Sequence, residues 1–368
     1  MRTRTAVVYE HNKPVIVDDL ELDEPKANEV LIRMVATGVC HSDLSIVNGT
    51  IYYDPPIAIG HEGAGVIEQV GEGVSYVNPG DNVVLSFVTF CGNCRMCQNN
   101  LVRLCEGFRA PRAHLLDGTC RLHNKSGQPI LQMARIATMS EYTVVPEQSL
   151  VKIDAHYPLE KAVLVGCGVT TGVGAVLNTA KVEAGSSVAV IGTGGVGLNV
   201  IQGAVLASAE RIIAIDLIEN KLDFAKSFGA TDLVNASTCD PVEAVLELTD
   251  GKYVDYAFEV IGYPKTIEQA YAMIRPGGTA VVIGACNQDV HISIPAQSIV
   301  MKEKRLIGSF YGSSSPRAAM PKLLKLYENG KLKLDELITQ TYRLEQINDA
   351  FADMESGKNA RGVILYDN

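Results

Sequence analysis

The stretch Ser187-Val-Ala-Val-Ile191-Gly192-Thr193-Gly194-Gly195-Val196-Gly197-Leu-Asn-Val-Ile-Gln202 decides the fold. Its first five residues, rich in Val and Ile, read as a buried strand, and the apolar residues after Gly197 read as a helix. The glycines between them fall as G-x-G-x-x-G, in the strand–turn–helix context where this pattern cradles a dinucleotide. Gly192 allows the tight turn, Gly194 lets a pyrophosphate approach the backbone, and Gly197 lets helix and strand pack closely. Gly195 and Val196 open the helix, whose free N–H groups and dipole favour the phosphates. Arg211–Asp216 reads as the next strand, and Asp216 ends it 19 residues after Gly197. A carboxylate there can bond the adenosine ribose hydroxyls and would repel a 2′-phosphate, so NAD is expected over NADP. Lys221, five residues on, is placed to reach the same ribose.

Outward from this loop the elements alternate. A helical stretch at 170–179 precedes it. Helices at 220–228, Pro241–Leu248 and 266–273 alternate with strands at 232–234, Val254–Glu259 and 279–283. This α/β pattern predicts a doubly wound parallel sheet with helices on both faces. Residues 1–150 differ: short β-like runs at 5–9, 29–36, 65–70 and 82–87 are broken by turn signals such as Glu72-Gly73 and Asn78-Pro79-Gly80-Asp81. They predict an all-β barrel or partly open sheet. After about residue 312 the alternation stops. Helices at 317–329 and 344–356 and strands at Ile338–Tyr342 and 362–366 form a tail expected to return to the first domain. The expected division is 1–168 with 312–368 against 169–311.

Composition narrows the function. The chain has 368 residues, 47% hydrophobic and 20% charged, which suits a globular protein of two domains rather than a disordered one. A net charge of −10 argues against nucleic acid or an anionic membrane as the main partner. No long uncharged apolar run predicts a membrane span, and the N-terminus lacks a secretory pattern, so a cytoplasmic location is expected.

Nine cysteines in such a chain point to metal ligation or catalysis rather than disulfides. Cys91, Cys94, Cys97 and Cys105 read C-x2-C-x2-C-x7-C, which suits a closed tetrahedral zinc site. Iron–sulfur loops also space cysteines closely, but Glu106 stands where a proline would follow the last one. Three more segments hold ligand types among small residues: Gly38-Val-Cys40-His41-Ser42-Asp43, Gly60-His61-Glu62-Gly63 and Gly166-Cys167-Gly168-Val-Thr-Thr171. Two cysteines and a histidine make the set that an open, catalytic zinc uses. Each segment alone equally fits a buried cysteine or a core histidine.

Taken in this order, the glycine loop, the four-cysteine lobe and these segments resemble the zinc-dependent medium-chain alcohol dehydrogenases. The resemblance runs from about residue 5 to residue 366 and is carried by GHEGAGVIEQVGEGV (60–74), the cysteine lobe, IGTGGVGLNVIQGA (191–204) and Ala360-Arg361-Gly-Val-Ile-Leu365. It implies a GroES-like β-barrel catalytic domain, discontinuous in sequence, plus a Rossmann domain, with the site in the cleft between them. It implies two zinc ions per chain and NAD. Cys40, His61 and Cys167 then look like the catalytic zinc ligands, with Glu62 a transient fourth. Asp43 matches the carboxylate that orients the ligand histidine. Ser42 matches the hydroxyl that takes the alcohol proton while zinc polarises the alcohol oxygen and hydride passes to the cofactor. His41, Thr171 and Arg361 match cofactor contacts, and Val196 a residue behind the nicotinamide. Family members often continue the proton relay with a histidine three residues after Ser42, but Ser45 stands here. Ile51, Phe87, Ala110, Met133, Ala134 and Ala285 are the expected substrate pocket, with room for a bulky or aromatic primary alcohol or its aldehyde.

Two related readings remain. In the branch that oxidises thiol adducts of formaldehyde, such as S-hydroxymethyl glutathione, an arginine stands where Arg109 does. An acidic partner is expected near position 51, but Ile51 is there. Nicotinoprotein members keep NAD permanently bound and regenerate it with an external acceptor. The segment 108–133 resembles that of dimeric members, so a homodimer is expected, with a tetramer as the alternative.

Overall fold

The computed structural model describes residues 1–287 and 289–367. The chain divides into two units. One comprises Met1–Cys167, Ser315–Asn329 and Leu334–Asn368, and the other Gly168–Ser314 and Gly330–Lys333.

In the second unit, six strands form one sheet, all parallel. Their spatial order is Asp232–Asn235, Arg211–Asp216, Ser187–Ile191, Val254–Glu259, Ile274–Val282, Arg305–Gly308. The order reverses between Ser187–Ile191 and Val254–Glu259, the switch point where such sheets bind ligands. The helix Gly195–Leu206 follows the glycine loop. The helix Gly168–Gly174 packs against it, continuing as a wider turn through Ala175–Ala180. Gly172 permits this approach: a Cβ there would lie 2.6 Å from the Val196 carbonyl oxygen. Arg305–Gly308 escapes a sequence reading because only Leu306 and Ile307 are apolar. Ile274–Val282 begins earlier than expected, through Arg275-Pro-Gly-Gly278, which reads as a turn.

The first unit is mainly β. Arg2–Val8, Ile16–Leu22, Leu122–His123, Pro129–Gln132 and Ile57–Ala58 close into a small barrel. A seven-stranded sheet is built around Glu29–Val39, which pairs with Gly63–Val70, Tyr142–Pro146 and Arg361–Leu365. The C-terminal strands thus complete this sheet, as Ile338–Tyr342 lies parallel to Arg361–Leu365. Register positions the chemistry: Thr37 lies opposite Gly63, and Val39 opposite Gly362. Cys40, Glu62 and Arg361 therefore emerge beside one another, each one residue beyond such a paired position. The two-residue strands Ile57–Ala58 and Leu122–His123 are too short to show a period in sequence. Among the described residues no single helix is long and apolar enough to cross a membrane.

One buried charge network fixes the start of the central strand. The Arg121 side chain is fully buried and donates to both oxygens of Glu29, at 2.8 and 2.6 Å, and to Asp117 at 2.8 Å. Removing one member of a buried pair strands the other's charge. Glu29→Gln is expected to lower stability by about 3 kcal/mol. Adding Arg121→Met should recover most of it. Urea midpoints at constant slope read both variants, and an unshifted Glu29→Gln midpoint would show that the network carries no such energy.

Candidate active site

The cysteine lobe places the sulfurs of Cys91, Cys94, Cys97 and Cys105 within 4.8 Å of one another. Cys91 Sγ lies 4.0 Å from Cys97 Sγ, and Cys94 Sγ 3.9 Å from Cys105 Sγ. These are not disulfides, and all nine cysteines are free. A tetrahedral zinc with bonds of ~2.3 Å holds its sulfurs about 3.8 Å apart, so the lobe fits that ion. Backbone N–H groups of Asn93 and Cys94 donate to Cys91 Sγ, and those of Cys91 and Gly107 to Cys105 Sγ, at 3.3–3.4 Å. Such bonds spread thiolate charge. Gly92 turns the loop at φ 77°.

The second cluster draws on three distant segments. Cys40, His61, Glu62 and Cys167 are all buried, with their ligand atoms within 4.8 Å of one another. Cys40 caps the helix His41–Val47 from an extended conformation. His61 and Glu62 lead into Gly63–Val70, and Gly60, at φ 99°, turns the chain before them. Cys167 ends the tight turn Val163–Gly166. Gly166 lets that turn lie against the sheet, where a Cβ would meet the Leu85 carbonyl oxygen at 3.2 Å.

Asp43, fully buried, holds this cluster in order. Its Oδ1 lies 2.9 Å from His61 Nδ1, and its Oδ2 accepts the Cys40 N–H at 3.2 Å. With Nδ1–H given to Asp43, His61 Nε2 is left facing the cluster's centre chemically unspent. Nε2 and Glu62 Oε1 are buried and have no hydrogen-bond partner among the described residues. They lie 3.9 Å apart. Burial opposes charge on His61, but Asp43 and Cys40 outweigh it and hold its pKa well above the usual imidazole value. The same negative neighbours favour any cation at Nε2. The two sulfurs lie within 4.8 Å of each other, and their interaction pulls Cys40 well below the ordinary thiol value and pushes Cys167 well above it. Burial raises Asp43. Burial also pushes Glu62 up to about 7, against the pull of Arg361. Two sulfurs, an imidazole nitrogen and a carboxylate oxygen with unmet lone pairs suit a zinc ion.

Arg361, expected on a pyrophosphate, here forms a buried ion pair with Glu62. Gly38 leaves room for that carboxylate. Ser42, half-buried, has its Oγ 3.9 Å from Cys40 Sγ. His41 is exposed at the start of the same helix. The Phe87 ring stands edge-on to His61 with centroids 5.6 Å apart. Ile51, Met133 and Ala134 pack into one apolar core cluster. The Ala110 carbonyl accepts from Arg135 at 2.7 Å. Ala285 lies exposed on the other unit, and Arg109 is exposed on the first. Sequence reasoning passed over Arg135, although a charge inside the run Met133-Ala-Arg-Ile-Ala137 is a visible break in an apolar pattern.

In the second unit the glycine loop fits a dinucleotide. Gly192 adopts φ 91°, and a Cβ on Gly194 would meet nothing within 4 Å, leaving the loop face open. A Cβ on Gly197 would strike the Gly192 carbonyl. The helix Gly195–Leu206 has no capping side chain, so its first N–H groups have no side-chain acceptor at the cap. Asp216 ties the loop down: Oδ2 accepts from Thr193 N–H at 2.8 Å and Oγ1 at 3.1 Å, and Oδ1 from Leu217 and Ile218 N–H. Val196 and Lys221 are half-buried, and Thr171 is buried in Gly168–Gly174.

Comparison with known proteins agrees with this geometry. Residues 26–155 match the alcohol dehydrogenase GroES-like domain, and residues 195–329 match the zinc-binding dehydrogenase family. The chain is 41% identical over 372 residues to the NDMA-dependent alcohol dehydrogenase of Amycolatopsis methanolica, covering 100% of this chain and 99% of that protein. It is 40% identical to the putative alcohol dehydrogenase D of Mycobacterium tuberculosis, covering 100% of both. Among solved structures, benzyl alcohol dehydrogenase from Acinetobacter calcoaceticus matches at TM-score 0.93 and 31% identity over 100% of both chains. An alcohol dehydrogenase zinc-binding domain protein from Burkholderia ambifaria matches at TM-score 0.94 and 33% identity, again over 100% of both. The chain therefore belongs to the zinc-dependent medium-chain alcohol dehydrogenases, oxidoreductases that act on CH–OH groups.

Proposed function

We propose that the protein interconverts primary alcohols, aromatic or bulky ones included, and their aldehydes, using NAD and two zinc ions per chain. The observation that carries this reading is the buried cluster of Cys40, His61, Glu62 and Cys167, where His61 Nε2 and Glu62 Oε1 have no other partner. When bound, zinc supplies Lewis acidity to an alcohol oxygen and the dinucleotide supplies a two-electron oxidant. Cys40, His61 and Cys167 would hold the catalytic ion, and Cys91, Cys94, Cys97 and Cys105 a closed structural one.

The chain's own residues do the rest. Asp43 keeps the Nδ1 proton of His61 and so leaves Nε2 as the donor. Arg361 balances Glu62 and restrains that carboxylate. The Ser42 hydroxyl accepts the alcohol proton and passes it outward. Ser45 cannot extend the relay as an imidazole would, so the proton leaves through the ribose hydroxyl to water or through another group. Phe87 gives the His61 side an apolar wall that excludes solvent. Among the described residues Thr193 Oγ1 is the one hydroxyl bonded to Asp216, and it can rotate aside when a ribose hydroxyl arrives.

A second reading has a specific support. The relative named as NDMA-dependent is similar over the whole chain, and its name ties activity to a further compound. Such dependence is expected if the dinucleotide stays bound and an external acceptor regenerates it. The thiol-adduct reading has less support, because Arg109 is exposed with no ion pair among the described residues.

Three measurements test these readings. NADH formation at about 340 nm with ethanol, longer alcohols, benzyl alcohol, and formaldehyde with and without glutathione is expected to show turnover of free alcohols. Turnover only with glutathione would instead assign the adduct reaction, and dinucleotide released only on denaturation would assign the bound-cofactor form. Ser42→Ala should cut alcohol oxidation roughly 100-fold with zinc retained; near-normal rates would remove the relay role. Metal analysis should give two zinc ions per chain, and Cys97→Ser one, with a lower melting temperature. Two ions retained in that variant would refute the structural site.

A further inference from the structure

Arg135 is the buried charge that the metal cluster does not use. It is 7% exposed, yet among the described residues it forms no ion pair, and its Nε has no hydrogen-bond partner. Its Nη2 donates to the Ala110 carbonyl at 2.7 Å, and its guanidinium lies 5.9 Å from the Phe108 ring centroid. Neither contact supplies a negative charge. The charged group acting on it most strongly is a second cation, Arg112, which is exposed and likewise forms no ion pair among the described residues. Arginine does not shed its proton, so the fold carries a buried cation with no carboxylate partner among the described residues.

The backbone holds it there at a cost. Ala134, Arg135 and Ala137 all take positive φ, at 51°, 68° and 41°, a conformation that non-glycine residues adopt rarely. Strain of this kind persists where the surroundings over-determine it, commonly at ligand clamps. The location is informative too. Arg135 follows Met133 and Ala134, two of the expected pocket residues, and bonds the carbonyl of a third, Ala110. Tyr53, half-buried, packs against the same apolar cluster as Met133, Ala134 and Val39, the residue that precedes Cys40, and it feels the charges of Arg112, His61 and Arg135. The Tyr53 hydroxyl makes no hydrogen bond among the described residues.

We propose that Arg135, with Arg112 and the Tyr53 hydroxyl, forms a subsite for a carboxylate carried on the substrate at a distance from the reacting CH–OH group. A carboxylate suits the planar guanidinium fork, completes the unmet Nε donor and neutralises the buried charge. The preferred substrates are thus hydroxy acids or their aldehyde acids rather than plain alcohols. The inference rests on the dehydrogenase reading for the reacting end only.

The test compares 4-(hydroxymethyl)benzoate and 6-hydroxyhexanoate with benzyl alcohol and 1-hexanol, in the parent protein, Arg135→Gln and Arg135→Lys. Benzoate binding by calorimetry serves as a readout independent of turnover, and zinc content is measured throughout. The parent should favour each acid over its neutral counterpart in kcat/KM. Arg135→Gln should reduce that ratio roughly 10- to 100-fold and weaken benzoate binding similarly. Arg135→Lys, which keeps the charge without the fork, should fall between. An equal loss on acids and neutral alcohols, or benzoate binding indifferent to residue 135, overturns the subsite. Zinc loss in Arg135→Gln overturns it as well, because the arginine would then be balancing the nearby thiolate lobe through Cys105. If no alcohol is oxidised but benzoate binding still depends on Arg135, the dehydrogenase reading fails and the anion subsite stands.

Discussion

Two thiols, an imidazole and a carboxylate crowded within 4.8 Å and shut away from water need a balancing charge. That requirement organises the catalytic unit. Arg361 meets part of it through Glu62, Asp43 orients His61, and the remaining lone pairs ask for a cation. The sheet makes the arrangement attainable, because Glu29–Val39 pairs with both Gly63–Val70 and Arg361–Leu365. Residues up to 321 positions apart then emerge side by side, Cys40 with Glu62 and Arg361. The Arg121–Glu29 pair anchors the opposite end of the same central strand.

The two units use glycine for different ends. In the catalytic unit Gly38 makes room for the Glu62 carboxylate, which a methyl group there would displace, and Gly60, at φ 99°, turns the chain just before His61. In the dinucleotide unit Gly172 and Gly203 let two helices approach closely, while Gly194 keeps a face open. The four-cysteine lobe is a third case. There local spacing alone brings four sulfurs to tetrahedral separations, with little core beneath them.

Legibility followed the range of each interaction. The parallel sheet was readable because its strands and helices alternate and the glycine loop sits between two of them. The cysteine lobe was readable because its donors fall within 15 residues. Strands such as Leu122–His123 and Arg305–Gly308 were not, since neither is long enough or apolar enough to show a period. Cys40, His61 and Cys167 could be grouped only through the family resemblance, because nothing local links segments so far apart. Arg361 shows what a resemblance leaves out: its partner here is Glu62, which depends on strand register rather than on either residue's neighbours. Arg135 was passed over because its neighbours read as pocket wall, and burial without a counter-charge is visible only in three dimensions.

The carboxylate of Asp216 has a consequence for how a cofactor is received. Four hydrogen bonds from Thr193, Leu217 and Ile218 occupy it, so the chain itself stitches the glycine loop to the neighbouring strand. A loop held this way has little freedom left to lose. A ligand received on a loop already held this way would forfeit little chain entropy, so more of its contact energy would remain as affinity.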